Sequence, residues 1–211
     1  MPSVTTGIFR TAPAGGVNAA EGLPSIQPGG ALVVIDFYAK SILDGLGYQV
    51  QAGTITTPLT GDVLITDTKA ELSADVIAGA IMIPIEAQVD IEALGGTLPQ
   101  VAVKSAATVS SAGTAFVPLP LRSAAGASNA TARVAAAGGV TVTAELVTTT
   151  LRHYAKTITV AGDVQARWDP IRPPELDGAR CVYLQVGSVT TGSTYFAHLN
   201  FLEFTDAQLG R

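Results

Sequence analysis

Ile81-Met82-Ile83-Pro84-Ile85-Glu86-Ala87-Gln88-Val89-Asp90-Ile91-Glu92 sets Ile, Ile, Ile, Ala, Val and Ile at odd positions against Pro, Glu, Gln, Asp and Glu at even positions from 84 onward. A period of two sends one set of side chains into a core and the other outward. A helix would scatter those carboxylates around its circumference. The stretch therefore predicts a strand with residues 81, 83, 85, 87, 89 and 91 facing inward.

The alternation recurs on both sides of this strand. Val140-Thr141-Val142-Thr143-Ala144-Glu145-Leu146 and Tyr154-Ala155-Lys156-Thr157-Ile158-Thr159-Val160 carry Thr on the polar face, where β-branched side chains suit a pleated surface. Tyr48-Gln49-Val50-Gln51-Ala52 alternates and then changes phase at Gly53, which predicts a β-bulge there. Ala115-Phe116-Val117-Pro118-Leu119-Pro120-Leu121 has two prolines on one face, and their missing N–H donors confine it to a sheet edge. Residues 31–38, 62–66, 98–104, 180–186 and 194–205 complete the predicted strands. Asp44-Gly45, Gly95-Gly96, Gly113, Gly126, Gly138-Gly139, Gly162-Asp163 and Asp177-Gly178 mark turns between them. Helix is confined to single turns at 39–43 and 69–77.

Strand after strand without helical crossovers predicts an all-β fold, an antiparallel β-sandwich rather than a parallel α/β sheet. A jelly roll is the first expectation and an immunoglobulin-like sandwich the alternative, although the Cys…Trp…Cys spacing of the latter is missing. Residues 1–30 are rich in Pro and Gly, as in Thr11-Ala12-Pro13-Ala14-Gly15-Gly16, yet carry Ile8 and Phe9 among regular apolar positions. They read as an extended arm whose anchors dock on a neighbour, against the plainer reading of a loose tail; residues 31–211 read as a single β-sandwich domain.

Charged residues make up 14% of the chain, against about 25% in an ordinary soluble domain, and mean hydropathy is +0.38. The longest apolar run, residues 76–85, contains Pro84 and falls short of the roughly 20 residues a spanning helix needs, so no membrane partner is expected. A surface this poor in charge predicts a homo-oligomer whose neighbouring subunits cover it. Net charge is −5 and the 12 basic residues are scattered singly, which argues against direct nucleic-acid contact, since counterion release needs clustered Lys and Arg. The first ten residues lack the basic and apolar regions of a secretory signal peptide, and none is expected.

No Gly-x-Ser-x-Gly elbow is present, and no catalytic residue is assigned; the chain is not read as an enzyme. His153 and His198 are the only imidazoles; each reads as a satisfied partner in a strand rather than a general base, and His153 is expected below its ordinary pKa because Arg152 adjoins it. Cys181, the single cysteine, lies in Cys181-Val182-Tyr183-Leu184 and reads as a buried inert thiol. Glu86, Asp90 and Glu92 share one strand face, and Asp62 with Asp67 flanks a short strand. They read as a solvated face before a calcium site at a subunit contact or a glycosidase pair, and no cofactor is expected. Trp168 lies in Arg167-Trp168-Asp169-Pro170-Ile171-Arg172-Pro173-Pro174, a rigid irregular loop. Trp and Arg are enriched where proteins meet, so Arg167, Trp168 and Arg172, with Ile8 and Phe9 of the arm, are the candidate interface residues. A sugar platform on Trp168 is the alternative.

The Pro/Gly-rich arm, the body rich in Ala, Thr and Val, and the closing strand Tyr195-Phe196-Ala197-His198-Leu199-Asn200-Phe201-Leu202-Glu203-Phe204 resemble small virion structural proteins, above all those of bacteriophages. The resemblance implies a self-assembling capsid or capsid-associated subunit, decoration or minor capsid, located in the virion after assembly in the host cytoplasm. Its partners would be copies of itself and other virion proteins. A surface adhesin or carbohydrate-binding module is the alternative function.

Overall fold

A computed structural model describes residues 36–95, 98–143, 150–158 and 165–209; the expected arm at residues 1–30, with Ile8 and Phe9, lies outside them. Eight strands form the body: β1 (Gly47–Ala52), β2 (Leu72–Val76), β3 (Ala80–Ala93), β4 (Gln100–Ala106), β5 (Thr150–Thr157), β6 (Gln165–Trp168), β7 (Arg180–Gly187) and β8 (Thr194–Thr205). They run β6-β3-β8-β1 in one antiparallel sheet and β5-β4-β7-β2 in the other; Leu119–Pro120 adds to β1, and Thr131–Val134 followed by Thr114–Phe116 adds beyond β2. The pairing is nested. β1 pairs with β8, β2 with β7, β3 with β6 and β4 with β5, and β8 with β3 and β7 with β4 close the two sheets. Between the sheets lies one apolar core that includes Val50, Leu72, Val89, Leu184, Leu199 and Phe201. The chain is an all-β antiparallel sandwich.

β3 is a strand, but its phase inverts midway. Asn200 pairs with Glu86 and the next residue, Phe201, with Pro84, so Ile85 is left over as a bulge. Ala87, Val89 and Ile91 are buried as the alternation predicts, whereas on the other side of the bulge Met82 and Pro84 are buried and Ile83 and Ile85 only half so. One extra residue exchanges the two faces of a pleat. The expectation that Ile83 and Ile85 face inward is corrected on that ground.

Several other expectations change. Residues 69–77 form no helical turn: Lys69–Ala70 is a short strand and β2 follows. Glu71 and Asp75, four apart, imitate a helical face, but every residue of β2 is buried, so burial on both sides erases the alternation. Phe37 and Tyr38 belong not to a strand but to a helix, α1 (Phe37–Leu43), which Asp36 caps by accepting N–H bonds from Tyr38 and Ala39; residues 31–35 are outside the described range. Residues 62–66 form no strand, only an isolated bridge from Asp62 to Gly187. Gly53 makes no bulge; with φ at +69° it ends β1 and starts a tight loop closed by Thr54 and Thr57. The proline-bearing segment sits at sheet edges, as its missing donors require, but divides between both sheets. Thr114–Phe116 flanks one and Leu119–Pro120 the other.

The outer faces of the two sheets differ. That of the β6-β3-β8-β1 sheet is open and polar. That of the β5-β4-β7-β2 sheet lies under a flap in which Lys69–Ala70, Val140–Thr141 and Ser111–Ala112 pair as a small third sheet. A second apolar cluster, Ala70, Ala106, Val140, Cys181 and Tyr183, fills the space beneath it.

Candidate interaction surface

β5 and β6 are the terminal strands of their sheets and lie on the same side of the sandwich. A register shift between Arg152 and Tyr154 leaves His153 without a cross-strand partner. Its ring stacks on Trp168 at the end of β6, with centroids 5.8 Å apart and planes 26° from parallel. Ser105 Oγ on β4 and His153 Nε2 share a hydrogen bond of 2.7 Å. His153 lies below its ordinary pKa because burial penalises the imidazolium; the direction is the expected one, but the cause is desolvation rather than the neighbouring cation.

Ser105 and His153 resemble a nucleophile and its base, but Ser105 is buried in the middle of a sheet and the pair reads as a strut between strands. Trp168 is 8% exposed and belongs to the core, not to an irregular loop. A shallow cavity of about 410 Å³ opens above it, lined by Arg152, His153, Trp168, Pro170, Ile171, Arg172 and Pro174. Ile171, on its lining, is 97% exposed, and Leu151, on the terminal strand β5, is 64% exposed. Arg167 points the other way, with its Nη2 2.8 Å from Glu86 Oε1 and 3.5 Å from Asp169 Oδ2. Arg152 and Arg172 therefore share one hollow, and Arg167 serves the open sheet face instead.

On that open face the carboxylates are held apart by amides. Glu86 accepts from Asn200 Nδ2 at 2.9 Å, and Asn200 Oδ1 accepts from Gln49 Nε2 at 2.9 Å. Asp90 accepts from Gln88 Nε2 at 2.7 Å and Gln165 Nε2 at 2.8 Å. His198 Nε2 lies 3.9 Å from Glu86 Oε2. Among the described residues no three His, Cys, Asp or Glu side chains gather as metal ligands.

The buried acids escaped the sequence reading. Asp75 accepts from Ser110 N and Ser110 Oγ, both at 2.8 Å, with Arg133 Nε at 3.4 Å. Burial pushes the Asp75 carboxyl above its usual range. Beside it, Cys181 is buried and its thiol is pushed up to about 12 by desolvation, with the Asp75 charge adding to it. Such a thiol is inert, in line with its apolar sequence context. Glu71, 1% exposed, likewise has no local signature in the sequence. Comparison with family models, curated proteins and solved structures returns no match, so the reading of this surface rests on its geometry.

Proposed function

We propose that this chain is a jelly-roll virion structural protein, a self-assembling capsid or capsid-associated subunit that meets copies of itself through the β5/β6 edge. The observation that carries the reading is the nested strand order, first with last through fourth with fifth, which is what an eight-stranded antiparallel hairpin rolled into two Greek keys produces. Capsid, lectin and cupin domains share that architecture. The composition of the β5/β6 edge favours the first. Ile171 shares the hollow with Arg152 and Arg172, Leu151 stands exposed on the edge strand β5, and apolar residues beside arginines suit a protein contact. Burying such apolar area favours association by about 25 cal/mol per Å², less the cost of ordering.

Light scattering on the full chain tests this. Particles of many subunits are expected, and a Leu151→Glu, Ile171→Glu double variant should fall to smaller species with an unchanged circular dichroism spectrum. A wild-type chain that stays monomeric at high concentration overturns the proposal. The adhesin alternative loses its tryptophan platform, since the Trp168 ring is covered.

A further inference from the structure

Segment 61–67 crosses the end of β7 with its backbone unusually close. A Cβ on Gly61 would stand 2.7 Å from Val186 O, and one on Gly187 would stand 2.8 Å from Ile65 N, so both positions need glycine. Across the seam Gly61 N donates to Ser193 O, Asp62 N to Val186 O and Ser188 N to Asp62 O. Glu71, just before β2, is inserted between the two sides. Its Oε2 accepts from Val186 N at 2.8 Å and its Oε1 from Asp62 N at 3.3 Å, so one carboxyl joins the loop to β7.

Burial and a neighbouring like charge favour the neutral form of that carboxyl and outweigh the backbone N–H groups of Val186, Asp62 and Gly138, which favour the carboxylate. It is 1% exposed. The titratable groups that face it are Asp62 on the loop, a like charge, and Tyr195 on β8, whose buried hydroxyl has no hydrogen-bond partner among the described residues. Gly138, on the turn of the flap, adds a backbone N–H. Lys69, the nearest cation along the chain, sends its ammonium to Thr141 Oγ1 at 3.0 Å.

We propose that Glu71 is a proton-operated latch, closing segment 61–67 onto β7 when neutral and favouring an opened segment, with the carboxylate in water, when ionised. The segment carries exposed Val63 and Leu64, so the latch sets how an apolar rim is presented. The proposal holds whether or not the chain assembles into a virion.

The sign follows from linkage. Burial, opposed by the N–H of Val186 and reinforced by the Asp62 charge, lifts the closed-state pKa from 4.5 to about 8. With an ordinary value in the opened state, the opening constant rises about tenfold per pH unit between those two values and is level above the upper one. Hydrogen exchange on the full chain reads this directly, as protection factors corrected for intrinsic rates. Protection at Gly61, Asp62 and Ser188 should fall about tenfold per unit from pH 5 to 7.5, while Val50 and Leu199 in β1 and β8 hold theirs. Glu71→Gln should abolish the slope. A flat wild-type profile, the same slope in the variant, or a parallel fall at Val50 and Leu199 overturns the latch. Should Glu71→Gln not fold, the wild-type Glu71 carboxyl ¹³C titration decides: a midpoint near 8 supports the latch and one near 4.5 ends it.

Discussion

The two outer sheet faces carry the same kinds of residue and treat them in opposite ways. On the open face Glu86, Asp90, Gln49 and Asn200 form a half-solvated ladder of amides and carboxylates. Under the flap Glu71, Ser73, Asp75, Lys104 and Gln185 are all buried. A carboxylate in water loses little when a partner leaves, whereas one beneath a flap loses much when a hydrogen bond that answers it is removed. The covered face is thus where polar groups specify the structure, and the open face is where they merely tolerate it.

The sharpest way to break this contrast is Asp75→Ala. It strips Ser110 and Arg133 of a buried partner and should cost about 3–5 kcal/mol in denaturant unfolding. A loss equal to that of an open-face carboxylate would erase the distinction. Next in size is the shielding of Cys181. Alkylation of the native protein at pH 8 should run more than about a hundredfold slower than in urea, because a buried thiol with a raised pKa offers almost no thiolate.

His153, at the seam where the two sheets meet, gives a smaller effect of defined sign. Its folded pKa is depressed by burial, so the stability it supplies is present above its unfolded value of 6.5 and is lost as pH falls below that. The stability difference between wild type and His153→Gln should shrink on acidification by at most about 1.4 kcal/mol per pH unit. Glu71 and Asp75, both raised, act in the opposite direction, which is why the difference and not the wild-type curve is the quantity to measure. Smallest of all is Glu86→Ala on the open face, expected to cost under about 1 kcal/mol by the same unfolding measurement.

What could be read in advance follows from this contrast. β3, β7 and β8 were legible because their outward residues are polar or their whole length is apolar. Pro118 and Pro120 announced sheet edges because a missing donor is a property of the residue alone. The bulge at Ile85 was hidden, since isoleucines on both sides of it look the same in either phase. β2 carries no strand signature because the flap over its outer face comes from residues 111–112 and 140–141, far along the chain and weakly patterned. Around the cavity, Arg172 and Ile171 lie within a Pro-rich stretch, Arg167 to Pro174, whose composition marks it as irregular. The contact of His153 with Ser105 spans 48 positions and has no local signature.

The nested pairing also governs when the body can form during synthesis. Gln49 on β1 meets Asn200 on β8, 151 positions later in the chain. At a ribosomal pace of roughly 5–20 residues per second, β1 emerges on the order of ten seconds before β8, its longest partner among the described strands, exists. Until then the apolar side of β1, Tyr48, Val50 and Ala52, has no sheet to join, and sequence-distant pairing is intrinsically slow to find. Nascent chains of this protein are therefore most in need of chaperone cover over that interval, and stalling ahead of β8 would leave β1 without the strand that completes its sheet.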